Sequence, residues 1–257
     1  MKKPSVIILG SGNVAAFLSR NISARGMEVE RIVARNAAKG KSLAAEIGAT
    51  WEEHYSGSND ENTIIISAVK DSAAQTIWEE CDFKNNLVLH TAGALPLSAL
   101  QKYAKNCGVL YPLQTISEKR PIPSREVPFF IEGNSEENLT RIKEVAEILS
   151  PMVQVCDSAA REKLHLAAVF ANNFANLCFR MAWEIAEKEG LPPQLLLPLI
   201  EETCAKLRTL SPHDAQTGPA VRWDENIMAK HLELLKEMPE KAAFYTTASA
   251  EIHRRSE

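Results

Sequence analysis

Residues 5–15 read Ser5-Val6-Ile7-Ile8-Leu9-Gly10-Ser11-Gly12-Asn13-Val14-Ala15. The aliphatic run at 5–9 is short and ends at glycine, the pattern of a strand buried on both faces. Val14, Leu18 and Ile22 then recur at helical spacing, so the strand passes into a helix through a glycine turn. Gly10 permits the tight bend, Gly12 lets the backbone approach a pyrophosphate, and the small Ala15 lets the helix pack closely on the strand. The helix N-terminus would face those phosphates with free N–H groups and the positive end of its dipole. Gly10, Ser11, Gly12, Asn13 and Val14 are therefore expected to bind a dinucleotide; an ordinary glycine turn is the competing reading.

The same alternation continues outward. Strands are expected over 29–34, 63–67, 87–89, 109–111, 129–131 and 153–155, with helices over 39–47, 71–80, 97–105 and 136–149. Strand–helix alternation implies an α/β fold, a Rossmann-type, mainly parallel sheet with helices on both faces. Beyond Asp157 the texture changes: from Ala159 to Lys188 there is neither Gly nor Pro, and apolar positions follow a helical period. One helix of about thirty residues is expected there, longer than is usual. Further helices follow over 192–207, 225–236 and 240–254. Two domains result, a Rossmann domain over 1–156 and an all-helical C-terminal domain over 157–257.

An NAD site carries an Asp or Glu at the end of its second strand, on the ribose hydroxyls. This chain has Arg35 there, followed by Asn36 and Lys39. Cationic and polar donors without a repelling carboxylate suit a 2′-phosphate, so the cofactor is expected to be NADP. A solvated basic helix start is the alternative. The third strand ends in Ser67-Ala68-Val69-Lys70, small residues at the carboxyl edge of the sheet that leave room for ribose and nicotinamide. Ala68, Val69 and Lys70 join the cofactor candidates. His90 and Thr91, in the segment His90-Thr91-Ala92-Gly93-Ala94 at the next strand end, stand between ligand contact and a simple turn.

On the long helix, Glu162, His165, Asn172, Asn173 and Asn176 fall close to one stripe, since steps of three, four and seven return to the same face. Such a stripe either lines a cleft or hydrogen-bonds inside a helix bundle or dimer contact. Arg222, in the break Thr217-Gly218-Pro219-Ala220-Val221-Arg222-Trp223-Asp224, offers a guanidinium suited to a carboxylate or phosphate, while Asp224 reads as a helix N-cap.

Composition excludes other classes. A net charge of -4 and a pI near 5.9 provide no basic field for nucleic acid. The five cysteines are odd in number and widely spaced, which fits a reducing cytoplasm. The apolar run after Met1-Lys2-Lys3-Pro4 is too short for a signal-peptide core or membrane span. The six histidines form no HxxxH or HxH pair, so no metal site is expected.

With GSGNVA at 10–15, ARNAAKGKSLAAEIGA at 34–49 and SAVKDSA at 67–73, the N-terminal domain resembles the NADP-binding domains of pyrroline-5-carboxylate reductases and deazaflavin-dependent NADP reductases. LHTAGALPLSAL at 89–100, GVLYPLQTIS at 108–117, KLHLAAVFANNFANL at 163–177 and TGPAVRWD at 217–224 resemble a family that joins such a domain to the helical domain of unknown function 2520. The resemblance covers nearly the whole chain. It implies the architecture of the 6-phosphogluconate dehydrogenase-like group, with a helical, often dimer-forming second domain, and hence a homodimer. In β-hydroxyacid dehydrogenases and ketopantoate reductases of that group, the long helix carries a catalytic Lys followed four residues later by Asn. Here Ala167 stands four residues after Lys163, so the lysine role does not transfer, and His165 and Asn173 are the residues in related positions.

The resulting expectation is a cytoplasmic NADP-dependent oxidoreductase moving hydride between the nicotinamide and a small, anionic substrate in an interdomain cleft. His165, whose side-chain type ordinarily titrates near about 6.5, would handle the proton, with Asn173 and Arg222 orienting the substrate. Neither nucleic acid nor membrane is an expected partner. The alternative is a non-catalytic NADP-binding sensor or regulator, and a deazaflavin is an open choice of redox partner.

Overall fold

In the computed structural model, which describes residues 4–256, the opening run forms strand β1 (Val6–Leu9) with all four residues buried. It feeds helix α1 (Asn13–Ala24), then β2 (Val29–Val33) and α2 (Ala37–Ile47), which Asn36 caps by accepting the Lys39 amide. The left-handed Gly48 closes α2. The order continues with β3 (Thr50–Glu52), β4 (Ile64–Ser67), α3 (Asp71–Glu79), β5 (Leu87–His90), α4 (Leu97–Gln101), β6 (Asn106–Pro112), β7 (Phe129–Gly133), α5 (Glu136–Leu149) and β8 (Val153–Val155). The strands form one sheet in the order β3-β2-β1-β4-β5-β6-β7-β8, parallel throughout except where β7 meets β6. This is the expected doubly wound Rossmann topology. Its strand order reverses between β1 and β4, the switch point where ligands bind.

Alternate residues of each strand serve opposite layers. Val6 and Ile8 point with Ile32, Ile64 and Ile66 into the core beneath α1, α2 and α5, while Ile7 and Leu9 join Ile65, Val88 and Trp78 on the other side. Burying each Ile or Leu is worth roughly 1.5 to 3 kcal/mol, so both faces of the sheet hold their helices. β3 was absent from the sequence reading. Thr50–Glu52 pairs with β2, and Trp51 Nε1 donates to the Ala34 carbonyl at 3.0 Å.

The expected single helix over 159–188 is interrupted. Helix α6 (Ser158–Ala168) passes into a π-helical stretch, Val169–Phe174, before α7 (Ala175–Lys188). A π turn takes an extra residue per turn, so the spacing that put Asn173 and Asn176 on the face of His165 no longer holds. Two compact units divide within that stretch, at Asn172/Asn173, so α6 groups with the sheet. Side-chain contacts fasten α6 to the sheet unit. Arg161, 1% exposed, pairs with Glu132 at the end of β7 and donates to the Leu95 carbonyl at 2.6 Å, while Ser158 Oγ accepts the Leu97 amide at 2.9 Å.

The second unit, from Asn173, comprises α7, a 3₁₀ turn Pro193–Leu196, α8 (Leu197–Lys206), α9 (Pro212–Ala215), α10 (Glu225–Leu234) and α11 (Pro239–Ser256). Asp224 caps α10 by accepting the Ile227 amide, as its sequence context indicated. Among the described residues no helix is long and apolar enough to cross a membrane, and no cluster of His, Cys, Asp and Glu is arranged to hold a metal.

Candidate active site

Gly10 follows β1 with φ +118°, a conformation that side chains disfavour, and a Cβ there would lie 2.6 Å from the Ala68 carbonyl oxygen. Glycine at this position thus lets the ends of β1 and β4 lie together. Gly12 is open: a Cβ there would meet nothing within 4 Å. The α1 N-terminus that follows has no side-chain cap and no acidic residue in its first turn, leaving its amides for an anion.

These residues line a cavity of about 790 Å³ along the carboxyl edge of the first unit, within the usual range for cofactor pockets. One end is formed by Arg35, Asn36, Glu53, His54 and Tyr55 beside β2, and the other by Thr91, Gly93, Tyr111, Gln114 and His165. Between them lie Gly10 to Val14 and Ala68, Val69 and Lys70. Gly10, Ser11, Gly12, Asn13, Val14, Arg35, Asn36, Ala68, Val69, Lys70, Thr91 and His165 are therefore brought around one space. Asn13 Nδ2 also donates to the Ile116 carbonyl at 3.0 Å, tying the loop after β6 to the glycine turn.

Four of the expected residues do not line this cavity. Lys39, in the first turn of α2, lines a neighbouring cavity of about 290 Å³ with Ser11, Arg20 and Ser42. His90 is buried and is not among the lining residues. Its ring lies tilted against Trp78, with centroids 6.1 Å apart, and Nδ1 accepts the Ala92 amide at 3.3 Å. Burial, with Arg161 nearby, pushes its pKa down to about 3, so it is a neutral support for the 91–93 loop. Asn173 and Arg222 belong to the second unit, and neither lines this cavity.

What the sequence reading missed is Tyr111. Its hydroxyl hydrogen-bonds His165 Nδ1 at 3.0 Å, and the two rings meet edge to face with centroids 6.0 Å apart. Gly93 makes room for the pair, since a Cβ there would lie 2.6 Å from His165 Nδ1 and 2.9 Å from Tyr111 Cζ. The strand position of Tyr111 was readable in sequence, but its partnership with a residue on α6 was not.

A glycine turn into a bare helix N-terminus, at the switch point of a parallel sheet and with an arginine in place of the ribose-binding acid, defines a Rossmann protein built for NADP. The comparisons agree. Residues 5–93 match the family described as NADP oxidoreductase coenzyme F420-dependent, and residues 127–252 match a domain of unknown function, DUF2520. A Bacteroides fragilis protein assigned as an NADP oxidoreductase is 34% identical over 98% of both chains, with a TM-score of 0.89. The chain belongs to this NADP oxidoreductase family. It is an NADP-dependent oxidoreductase, with NADP as its cofactor. Two more distant structures share the fold. A 1-pyrroline-5-carboxylate reductase from Streptococcus pyogenes is 15% identical, with a TM-score of 0.64 over 98% of this chain and 97% of that one. An imine reductase from Myxococcus stipitatus, in complex with NADP+, is 15% identical, with a TM-score of 0.68 over 98% and 93%. No curated protein matches.

Proposed function

We propose that this oxidoreductase transfers hydride between NADP and a small, anionic carbonyl or imine compound, with His165 managing the accompanying proton. The carrying observation is that the His165 ring enters the same cavity as the glycine turn. Gly10 to Val14 would hold the pyrophosphate, Arg35 and Asn36 the 2′-phosphate end, and Ala68 to Lys70 with Thr91 the nicotinamide half. The bound nicotinamide supplies the hydride chemistry. The chain's own residues shape the cavity and move the proton, and positioned acid–base catalysis contributes about a hundred- to ten-thousandfold. A space of about 790 Å³ that must also take the dinucleotide favours a small substrate. The anionic reading rests on the sequence alone, on Arg222 as an exposed guanidinium suited to a carboxylate and Asn173 as a second polar group; neither lines the cavity.

The test is NADPH consumption across keto acids, cyclic imines and hydroxy acids, with a deazaflavin as an added acceptor. Turnover on an anionic member supports the reading. Turnover only with the deazaflavin would replace the organic substrate, and tight NADPH binding without any turnover would favour the sensor. With an active substrate, His165→Gln is expected to lower the rate about a hundredfold or more at unchanged NADPH affinity. A stable, fully active variant would remove His165 from the mechanism.

We further propose a cytoplasmic homodimer. Of the second unit's described residues only Pro193, Ala220, Leu235 and Ser249 are buried, while Leu195 is 71% and Leu199 65% exposed. A helical unit with so little core of its own needs its apolar faces covered.

A further inference from the structure

Resting on the oxidoreductase reading above, we propose that Tyr111 is the residue that hands the proton to the substrate, with His165 as its proton supply. Three observations carry this. Tyr111 and His165 meet at 3.0 Å through Oη and Nδ1, and both line the cavity that contains the glycine turn. Tyr111 is held by the sheet at the carboxyl edge: it lies on β6, two residues beyond the Val109 that pairs with His90 at the end of β5. It therefore flanks the 91–93 loop, at the opposite end of the cavity from Arg35. Gly93 completes the arrangement, because any Cβ would occupy the place where the two rings converge.

The phenol suits the task. Burial raises its pKa above the ordinary value, so it stays protonated at neutral pH and is costly to leave as a phenolate. A donor of this kind needs immediate resupply, and the imidazolium N–H at Nδ1 is in hydrogen-bond reach of the oxygen that would be left bare. As the substrate carbon accepts hydride, the π electrons of its C=O or C=N bond move to the heteroatom. That atom takes the Tyr111 hydroxyl proton, and Tyr111 Oη takes the Nδ1 proton of His165. Tyr111 ends neutral, and His165 ends as neutral imidazole with its proton on Nε2. The half-buried imidazole then regains its proton from solvent for the next turnover.

Two measurements test this. In the cofactor-free protein at alkaline pH, nitrogen-15 spectra of His165 should show Nδ1 as hydrogen-bond acceptor and Nε2 as the protonated nitrogen. Tyr111→Phe should shift the Nδ1 resonance; an unchanged spectrum means that the contact does not hold in solution and overturns the proposal. In single turnovers with NADPH and an active substrate from the panel, Tyr111→Phe should bind NADPH within about twofold of the parent. It should also slow reduction about a hundredfold or more and lose the solvent deuterium effect on that step. A parent enzyme that reduces its substrate while Tyr111→Phe does so equally fast overturns the role of Tyr111 alone. A parent enzyme that reduces nothing in the panel overturns the proposed substrate class and the proton transfer built on it.

Discussion

Arg35 is an exposed side chain just beyond β2 that lines the cavity, and the proposed function gives it the 2′-phosphate of NADP. Charge-assisted contacts to a 2′-phosphate are worth about 1.5 to 3 kcal/mol, or roughly ten- to a hundredfold in affinity. Arg35→Ala should therefore erase most of the preference for NADPH over NADH while NADH affinity stays nearly level. Fluorescence titration with both cofactors decides it, and equal weakening of the two would make Arg35 structural. His90 is the opposite case, a titratable group whose function is to stay neutral. Its folded pKa of about 3 lies below the ordinary imidazole value, so the unfolded chain binds the extra proton first. The stabilisation is complete above about pH 6.5 and drains away as pH falls toward about 3. Between about pH 6.5 and about pH 5, above the main carboxylate range, the loss should approach about 2 kcal/mol. Denaturant midpoints at those two pH values should separate in the parent and converge in His90→Asn.

At the scale of elements, a buried cation is one of the groups that hold α6 to the sheet. Arg161 is 1% exposed and Glu132 17%, so removing the cation alone leaves a carboxylate short of its partner at a cost of about 3 to 5 kcal/mol. Replacing both with leucine should recover most of that loss, because two apolar groups need no pairing. Urea unfolding of Arg161→Leu, Glu132→Leu and the double variant measures the difference. If the double variant is no more stable than Arg161→Leu, the pair is not what fastens the helix. The same helix shows where periodicity misleads. The run from Ala159 to Lys188 contains no breaker, yet the π stretch Val169–Phe174 shifts the phase of everything after it. β3 went unread for a different reason: three residues show no alternation, and their strand character comes from pairing with β2.

For the whole molecule, the exposed leucines of the second unit set the expectation of a dimer at micromolar concentration. Sedimentation should show twice the 28.4 kDa chain mass. Leu195→Asp with Leu199→Asp should shift the boundary to the monomer or leave the helical unit unfolded by circular dichroism. A parent protein that sediments as a well-folded monomer would end the dimer proposal.

The α/β class, the glycine turn, the bare helix N-terminus and the absence of an acid after β2 were all readable from the chain. Each depends on residues within a turn or two of one another, and hydrophobic period and backbone permissiveness act at that range. Tertiary structure decided the rest. Tyr111 and His165 are 54 residues apart, and no local rule joins a strand end to a helix laid across it. Whether His90 faced the cavity or the core depended on the packing of Trp78 and on the Ala92 amide. That α6 belongs with the first unit follows from Arg161 reaching Glu132 and Leu95, contacts between residues 29 and 66 positions apart.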